Sequence, residues 1–200
     1  MIAETNPKRI LEIGCGPGIW MSALESRYDV TGLDIRADIL RSARANTSAA
    51  LIRGDACCLP FERHCFDLIM GIDVIEHLVD DVHFLREVKR VLKPQGRLLL
   101  TTLIQERRSY VKKLTFADHV REYSLEEVRK MLENTSFEVI RVSYFYGPIP
   151  TIARELAALF ENRRLIGPVT TLFTGLICAV FGSSESEDEN GGFAVLANSS

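Results

Sequence analysis

The chain has 200 residues and a mixed charge, 24 lysines and arginines against 27 acids for a formal net charge of -3. That length fits one domain, and the charge balance leaves no basic footprint for nucleic acid, so a DNA or RNA substrate is disfavoured. The opening residues contain no apolar signal region, and the five cysteines show no paired metal spacing. Cys15, Cys57 and Cys58 therefore read as reduced packing residues of a soluble, cytoplasmic enzyme.

The first element is a short apolar strand, Arg9–Ile13, which breaks into three glycines at alternate positions, Gly14, Gly16 and Gly18, before a helix starts. Such a turn lets the backbone bend sharply and pass close to a ligand, and the free N–H groups of the next helix face the same place. The dinucleotide fingerprint G-x-G-x-x-G needs a third glycine where Ile19 stands, which disfavours a nicotinamide dehydrogenase. The pattern is instead Glu-x-Gly-x-Gly-x-Gly, with Glu12 two residues before the first glycine.

Residues 28–34 read as a second strand ending in Asp34, about 20 residues beyond the first glycine, where a carboxylate takes two ribose hydroxyls or caps the following helix, 37–46. A third short strand starts at Leu51 and ends at Asp55-Ala56, whose acid has loop amides as its alternative partners. Residues 65–73 are a nearly continuous apolar strand, as expected of a strand buried on both faces of a parallel sheet. An amphipathic helix over 82–92 closes at Lys93-Pro-Gln-Gly96 and feeds a strand over 97–103. Ser124 and Glu127 form a capping box opening the helix Leu125–Asn134. A sixth strand covers 137–146 and a last one 192–197.

In this order, the glycine turn, Asp34, Asp55-Ala56, the strand of 65–73 and the Leu-Lys-Pro-x-Gly turn resemble the class I S-adenosylmethionine-dependent methyltransferases, in particular their small single-domain members of the ubiquinone-pathway type. The resemblance covers roughly residues 8–146. It implies an α/β fold with a doubly wound, seven-stranded, mostly parallel sheet whose last strand is antiparallel. It further implies S-adenosylmethionine as cofactor, with contacts at Glu12, Gly14, Cys15, Gly16, Asp34, Ile35, Asp55, Ala56 and Asp73. The turn would face the methionine part, whose ammonium needs an acceptor; Asp34 would take the ribose and Asp55 the adenine amine.

Two places offer further chemistry. On a helical turn, Asp73, Glu76 and His77 would fall at i, i+3 and i+4 on one face, able to hold a divalent cation or orient a base. A similar segment in ubiquinone-pathway O-methyltransferases is associated with a metal ion; the structural alternative is a near capping box from Asp73 to Glu76, which needs no metal. His119, on the loop after the fifth strand, is a candidate general base or substrate anchor, with a merely solvated histidine as its alternative.

More than forty residues separate the sixth strand from the last. Residues 148–182 read as a helical insertion, a hairpin from Ile152 to Phe181 broken at Gly167-Pro168, and residues 183–192 as an acidic loop. The hairpin is too short and interrupted for a membrane span. It is expected to serve as a lid over an apolar substrate, with a homodimer contact or a lipid-facing patch as alternatives. The expectation is one domain over 1–200 that methylates oxygen or carbon of a small apolar acceptor; the alternative is a protein of the same fold that binds cofactor without turnover and associates through its hairpin.

Overall fold

A computed structural model of the chain describes residues 5–103, 120–145 and 192–199. Strands β1 (Arg9–Ile13), β2 (Asp29–Asp34), β3 (Ala50–Arg53), β4 (Phe66–Ile72), β5 (Leu92–Leu103), β6 (Phe137–Phe145) and β7 (Gly192–Ser199) form one sheet in the order 3-2-1-4-5-7-6. β1 to β5 pair in parallel, and β7 runs antiparallel to both of its neighbours, β5 and β6. This is the doubly wound, mostly parallel sheet anticipated from the sequence, reversed strand included.

Helices cover both faces. Leu11 and Ile13 of β1 point to one side, into a core shared with Phe84, Leu85 and Val88 of α3 (Asp81–Val91) and Val128 and Leu132 of α4 (Leu125–Asn134). Ile10 points the other way, against Met21 of α1 (Ile19–Leu24) and Leu40 of α2 (Ala37–Ala43). Two-sided burial is why β4 reads as a nearly continuous apolar run, broken only at Asp67, rather than an alternation. Each fully buried Leu, Ile, Val or Phe contributes about 1.5–3 kcal/mol relative to exposure.

Local chemistry sets the element ends. The Asp80 carboxylate accepts from the His83 amide and starts α3. The capping box at Ser124 and Glu127 is complete, each side chain accepting from the other's backbone N–H. The turn at Lys93-Pro-Gln-Gly96 is an excursion within β5 rather than a break before it, because Leu92 already pairs with Phe66 and pairing resumes at Leu68 with Arg97. Gln95 takes a left-handed φ of 61° there.

The carboxyl ends of β1 to β5 share one edge of the sheet. Because β7 is reversed, its first residue, Gly192, pairs with both Leu103 and Phe145, the last residues of β5 and β6. Residues 104–119 and 146–191 therefore attach at that same edge. His119, the insertion 148–182 with its Ile152-to-Phe181 hairpin, and the acidic loop up to residue 191 lie outside the described residues. No helix among the described residues is long and apolar enough to cross a membrane.

Gly14 couples β1 to the exit of β4: its φ is 68°, and a Cβ there would lie 2.1 Å from Cγ2 of the stiff, β-branched Val74. Gly14→Ala is expected to lower the unfolding free energy by about 2–4 kcal/mol through left-handed strain and overpacking. Urea denaturation would show a reduced midpoint at unchanged slope; a wild-type midpoint would mean that the segment after β4 yields without cost.

Candidate functional site

The glycine turn is built by the strand end beside it. The Leu33 carbonyl of β2 accepts from both the Gly14 and Cys15 amides, at 2.8 and 3.0 Å, and the Asn46 side chain donates to the Pro17 carbonyl at 2.9 Å. Gly14, Gly16 and Gly18 all take positive φ, 68°, 52° and 79°. Their surroundings differ. A Cβ on Gly18 would meet Thr47 and Ala43 behind the turn, whereas one on Gly16 would meet nothing within 4 Å among the described residues. The backbone at Gly16 thus borders open space that a side chain would enter.

Asp34 closes the same turn. Its Oδ2 accepts from the Gly16 amide at 3.0 Å and its Oδ1 from the Arg36 amide at 2.9 Å. It caps no helix, since the N-cap of α2 is Arg36 and has no side-chain cap bond. Two amides fix the carboxylate, and each oxygen retains a further lone-pair direction. Ile35, next in the chain, is exposed, and Asp55 is exposed just beyond β3, its Oδ1 accepting from the Cys57 amide at 2.8 Å. That bond is the loop-amide alternative, made by one of the two oxygens. Ala56 is half-buried beside it.

Behind the turn lie two protonated groups. Cys15 is buried, and burial, then the charges of Glu12 and Asp34, push its thiol up to about 12, so it stays neutral. Glu12 is 2% exposed, on the same face of β1 as Ile10, and its Oε2 is buried with no hydrogen-bond partner among the described residues. Burial alone raises its carboxyl from 4.5 to about 8.

The helical face expected from Asp73, Glu76 and His77 does not form. Asp73 takes a left-handed φ of 50°, so the chain turns before a short 3-10 turn at Ile75–His77, and the residue that precedes that turn, Val74, has no side-chain cap. The near capping box is absent for the same reason. Asp73 instead exchanges bonds with Thr101 near the end of β5: its amide donates to Thr101 Oγ1 at 3.1 Å and the hydroxyl donates to its Oδ1 at 2.9 Å. Glu76 is buried and His77 exposed, so the two side chains part. Among the described residues no group of three His, Cys, Asp or Glu side chains is placed to hold a metal ion.

Residues 120–123 are stitched to this segment by contacts that sequence reasoning missed. The Val120 and Arg121 amides donate to the Glu76 carbonyl, at 2.8 and 3.3 Å. The Arg121 guanidinium grips the Asp81 carboxylate and the Val79 carbonyl, and the buried Tyr123 hydroxyl donates to Asp81 Oδ2 at 2.8 Å. Burial, then the bond to Asp81 and its charge, hold the Tyr123 phenol well above its usual range. The partners are forty residues apart, with no motif joining them.

The Glu12 carboxyl makes stability depend on pH. A folded-state value near 8 against 4.5 unfolded means that the folded chain keeps a proton the unfolded chain releases. The contribution is fully present below about pH 4.5 and is lost as pH rises through about 8, at up to about 1.4 kcal/mol per pH unit. Glu12→Gln keeps the shape without the titration and is expected to flatten unfolding free energies measured in urea across that range. Equal slopes for variant and wild type would mean that the carboxyl is already ionised at neutral pH in the fold.

Comparison with known proteins agrees with this geometry. Residues 11–100 match the family model described as a methyltransferase domain. The chain is 28% identical over 120 residues to a ubiquinone biosynthesis O-methyltransferase of Idiomarina loihiensis, covering 56% of this chain and 49% of that protein. It is 40% identical over 106 residues to phthiotriol/phenolphthiotriol dimycocerosates methyltransferase 1 of Mycobacterium ulcerans, covering 50% and 39%. A fatty-acid O-methyltransferase of Mycolicibacterium smegmatis is 38% identical over 107 residues, covering 50% and 38%. The chain thus spans half or less of the length of these curated relatives. Among solved structures, a SAM-dependent methyltransferase of Methanosarcina mazei superposes with a TM-score of 0.65 at 18% identity, covering 98% of this chain and 95% of that one. The [4+2]-cyclase SpnF superposes with 0.71 at 19% identity, covering 96% and 75%. The reversed seventh strand, the three-glycine turn braced by Asp34 and the matched region agree: residues 11–100 are similar to the methyltransferase domain, on a fold shared with solved S-adenosylmethionine-dependent methyltransferases.

Proposed function

We propose that this chain transfers a methyl group from S-adenosylmethionine to oxygen or carbon of a small apolar acceptor. The observation that carries the reading is the open backbone at Gly16 beside a carboxylate already held in place by two amides. A preset acceptor on a rigid strand end binds vicinal hydroxyls without further ordering cost. Asp34 takes the ribose, Asp55 and Ala56 meet the adenine, Ile35 lies along it, and Cys15, Gly14 and Asp73 line the turn. The cofactor supplies an activated methyl on its sulfonium sulfur, so the protein's work is to align the acceptor and exclude water. His77, exposed on the same edge, and His119, outside the described residues, are the proposed bases for an acceptor that must lose a proton. A metal at Asp73, Glu76 and His77 is not proposed.

The apolar acceptor is supported by side chains near the strand ends. Ile19, Trp20, Val79 and Val120 are each more than half exposed. They follow β1 and β4 or are tied to the segment after β4, and apolar groups so placed suit an apolar ligand. Two relatives point the same way by name, one acting on fatty acids and one on dimycocerosates.

Titration with S-adenosylhomocysteine in a calorimeter tests the cofactor site. Asp34→Ala is expected to weaken binding by about 1.5–3 kcal/mol, the value of a lost bond to a charged group. Gly16→Ala, whose Cβ meets no atom of the described residues, is expected to abolish binding while costing only about 1 kcal/mol of stability. NAD is expected not to bind; tighter binding of NAD than of S-adenosylhomocysteine would overturn the reading. For the acceptor, radiolabelled methyl transfer is expected to a long-chain carboxylic acid or a prenylated phenol, and not to a small polar amine. Val79→Asp is expected to raise the acceptor KM several-fold with the cofactor Kd unchanged.

A further inference from the structure

We infer that Glu12 is a proton-exchanging residue of the cofactor site: it stands protonated in the ligand-free chain and gives up that proton when the ammonium of the cofactor's methionine part enters. The inference rests on the S-adenosylmethionine reading above and adds to it a coupling between binding and pH.

The geometry is that of an acid without a partner of its own. Glu12 lies one residue before the end of β1, in register with Gly32 of β2 and Met70 of β4. Neither neighbour offers a polar side chain. Gly32 is bare because sulfur occupies the space above it: a Cβ there would lie 2.2 Å from Met21 Sδ and 2.9 Å from Cys15 Sγ. Thioether and thiol thus overlie the register neighbour of Glu12, with Ile10, Leu68 and Met70 in the same cluster. Among the titratable groups on the packed elements, Cys15 and Asp34 are a neutral thiol and an acid, and α1 and β4 contribute Met21 and Met70. No cation among the described residues pairs with Glu12.

An orphaned buried acceptor is uncommon in a core and costly when charged. The missing partner must bring hydrogen-bond donors as well as charge. A sulfonium brings charge alone, whereas an ammonium brings three N–H donors. The cofactor's methionine part carries such an ammonium, and Glu12 sits directly behind the turn. The balance is simple: the carboxyl O–H proton leaves to solvent, and the carboxylate accepts an N–H bond from the entering ammonium. One proton is released per ligand bound. The raised carboxyl value sets the range over which this matters, below about pH 8.

The test is calorimetric titration of the wild-type chain with S-adenosylhomocysteine near pH 6.5, in two buffers of different protonation enthalpy. The expected result is release of about one proton, with affinity strengthening about tenfold per pH unit on the acid side. 5′-Methylthioadenosine, which lacks the ammonium, is expected to bind without releasing a proton, and Glu12→Gln is expected to bind S-adenosylhomocysteine without releasing one. Binding of S-adenosylhomocysteine to the wild type without proton release would overturn this inference alone, as would undiminished release from Glu12→Gln. Failure of both ligands to bind would overturn it together with the cofactor reading.

Discussion

The carboxyl edge of the sheet depends on one junction between the first two strands. A single carbonyl, that of Leu33, holds the amides of Gly14 and Cys15, and the next residue's carboxylate holds the amide of Gly16. Three successive N–H groups of the turn are thereby assigned to the end of β2. The turn cannot drift without exposing buried polar groups, which is a larger penalty than any single bond would suggest. Because Gly14 lacks a side chain, Val74 packs against the same turn and draws in the exit of β4. Three strand ends thus share one mechanical point, and the residues proposed to meet the cofactor are arranged around it.

How much of this was legible in the sequence depended on how local the cause was. Periodicity and the glycine spacing located the strands of the sheet within a residue or two except at β3, which ends at Arg53 rather than at Asp55-Ala56, and at Lys93–Gly96, where pairing of Leu92 with Phe66 extends β5 past a turn. The capping box at Ser124 and Glu127 was readable because its partners are three residues apart. The segment from Asp73 to His77 was misread because the i, i+3, i+4 rule presumes a helix, and a left-handed Asp73 denies it one. That conformation is set by Thr101, twenty-eight residues on, which grips both the amide and the carboxylate. The Arg121, Asp81 and Tyr123 network was invisible for a similar reason: its members meet only after β5 and the segment beyond it are in place. Asp34 stands at the end of β2 where its position in the sequence put it, but its two amide bonds follow from the turn it faces.

Glu12 shows where local and global preferences disagree. A leucine or methionine would suit its neighbours, Met21, Met70 and Ile10, far better than a carboxyl. Sequences bear such a cost at functional sites, where a group is held ready for a partner that the chain does not itself contain. The adjacent Cys15 illustrates the contrast: a small, neutral thiol fills its share of the same wall without conflict.

The reversal of β7 has a consequence for how the domain can be altered. β6 and β7 hold Phe145 and Gly192 side by side as paired residues, so the register of the sheet is fixed independently of what connects them. Closing a longer connection between two pinned ends costs only about 0.6 kcal/mol for each doubling of its length. Connections of very different size can therefore be transplanted at this point while the glycine turn and Asp34, three and four strands from β7, keep their geometry. The domain is in this sense a fixed sheet with an exchangeable connection at its carboxyl edge.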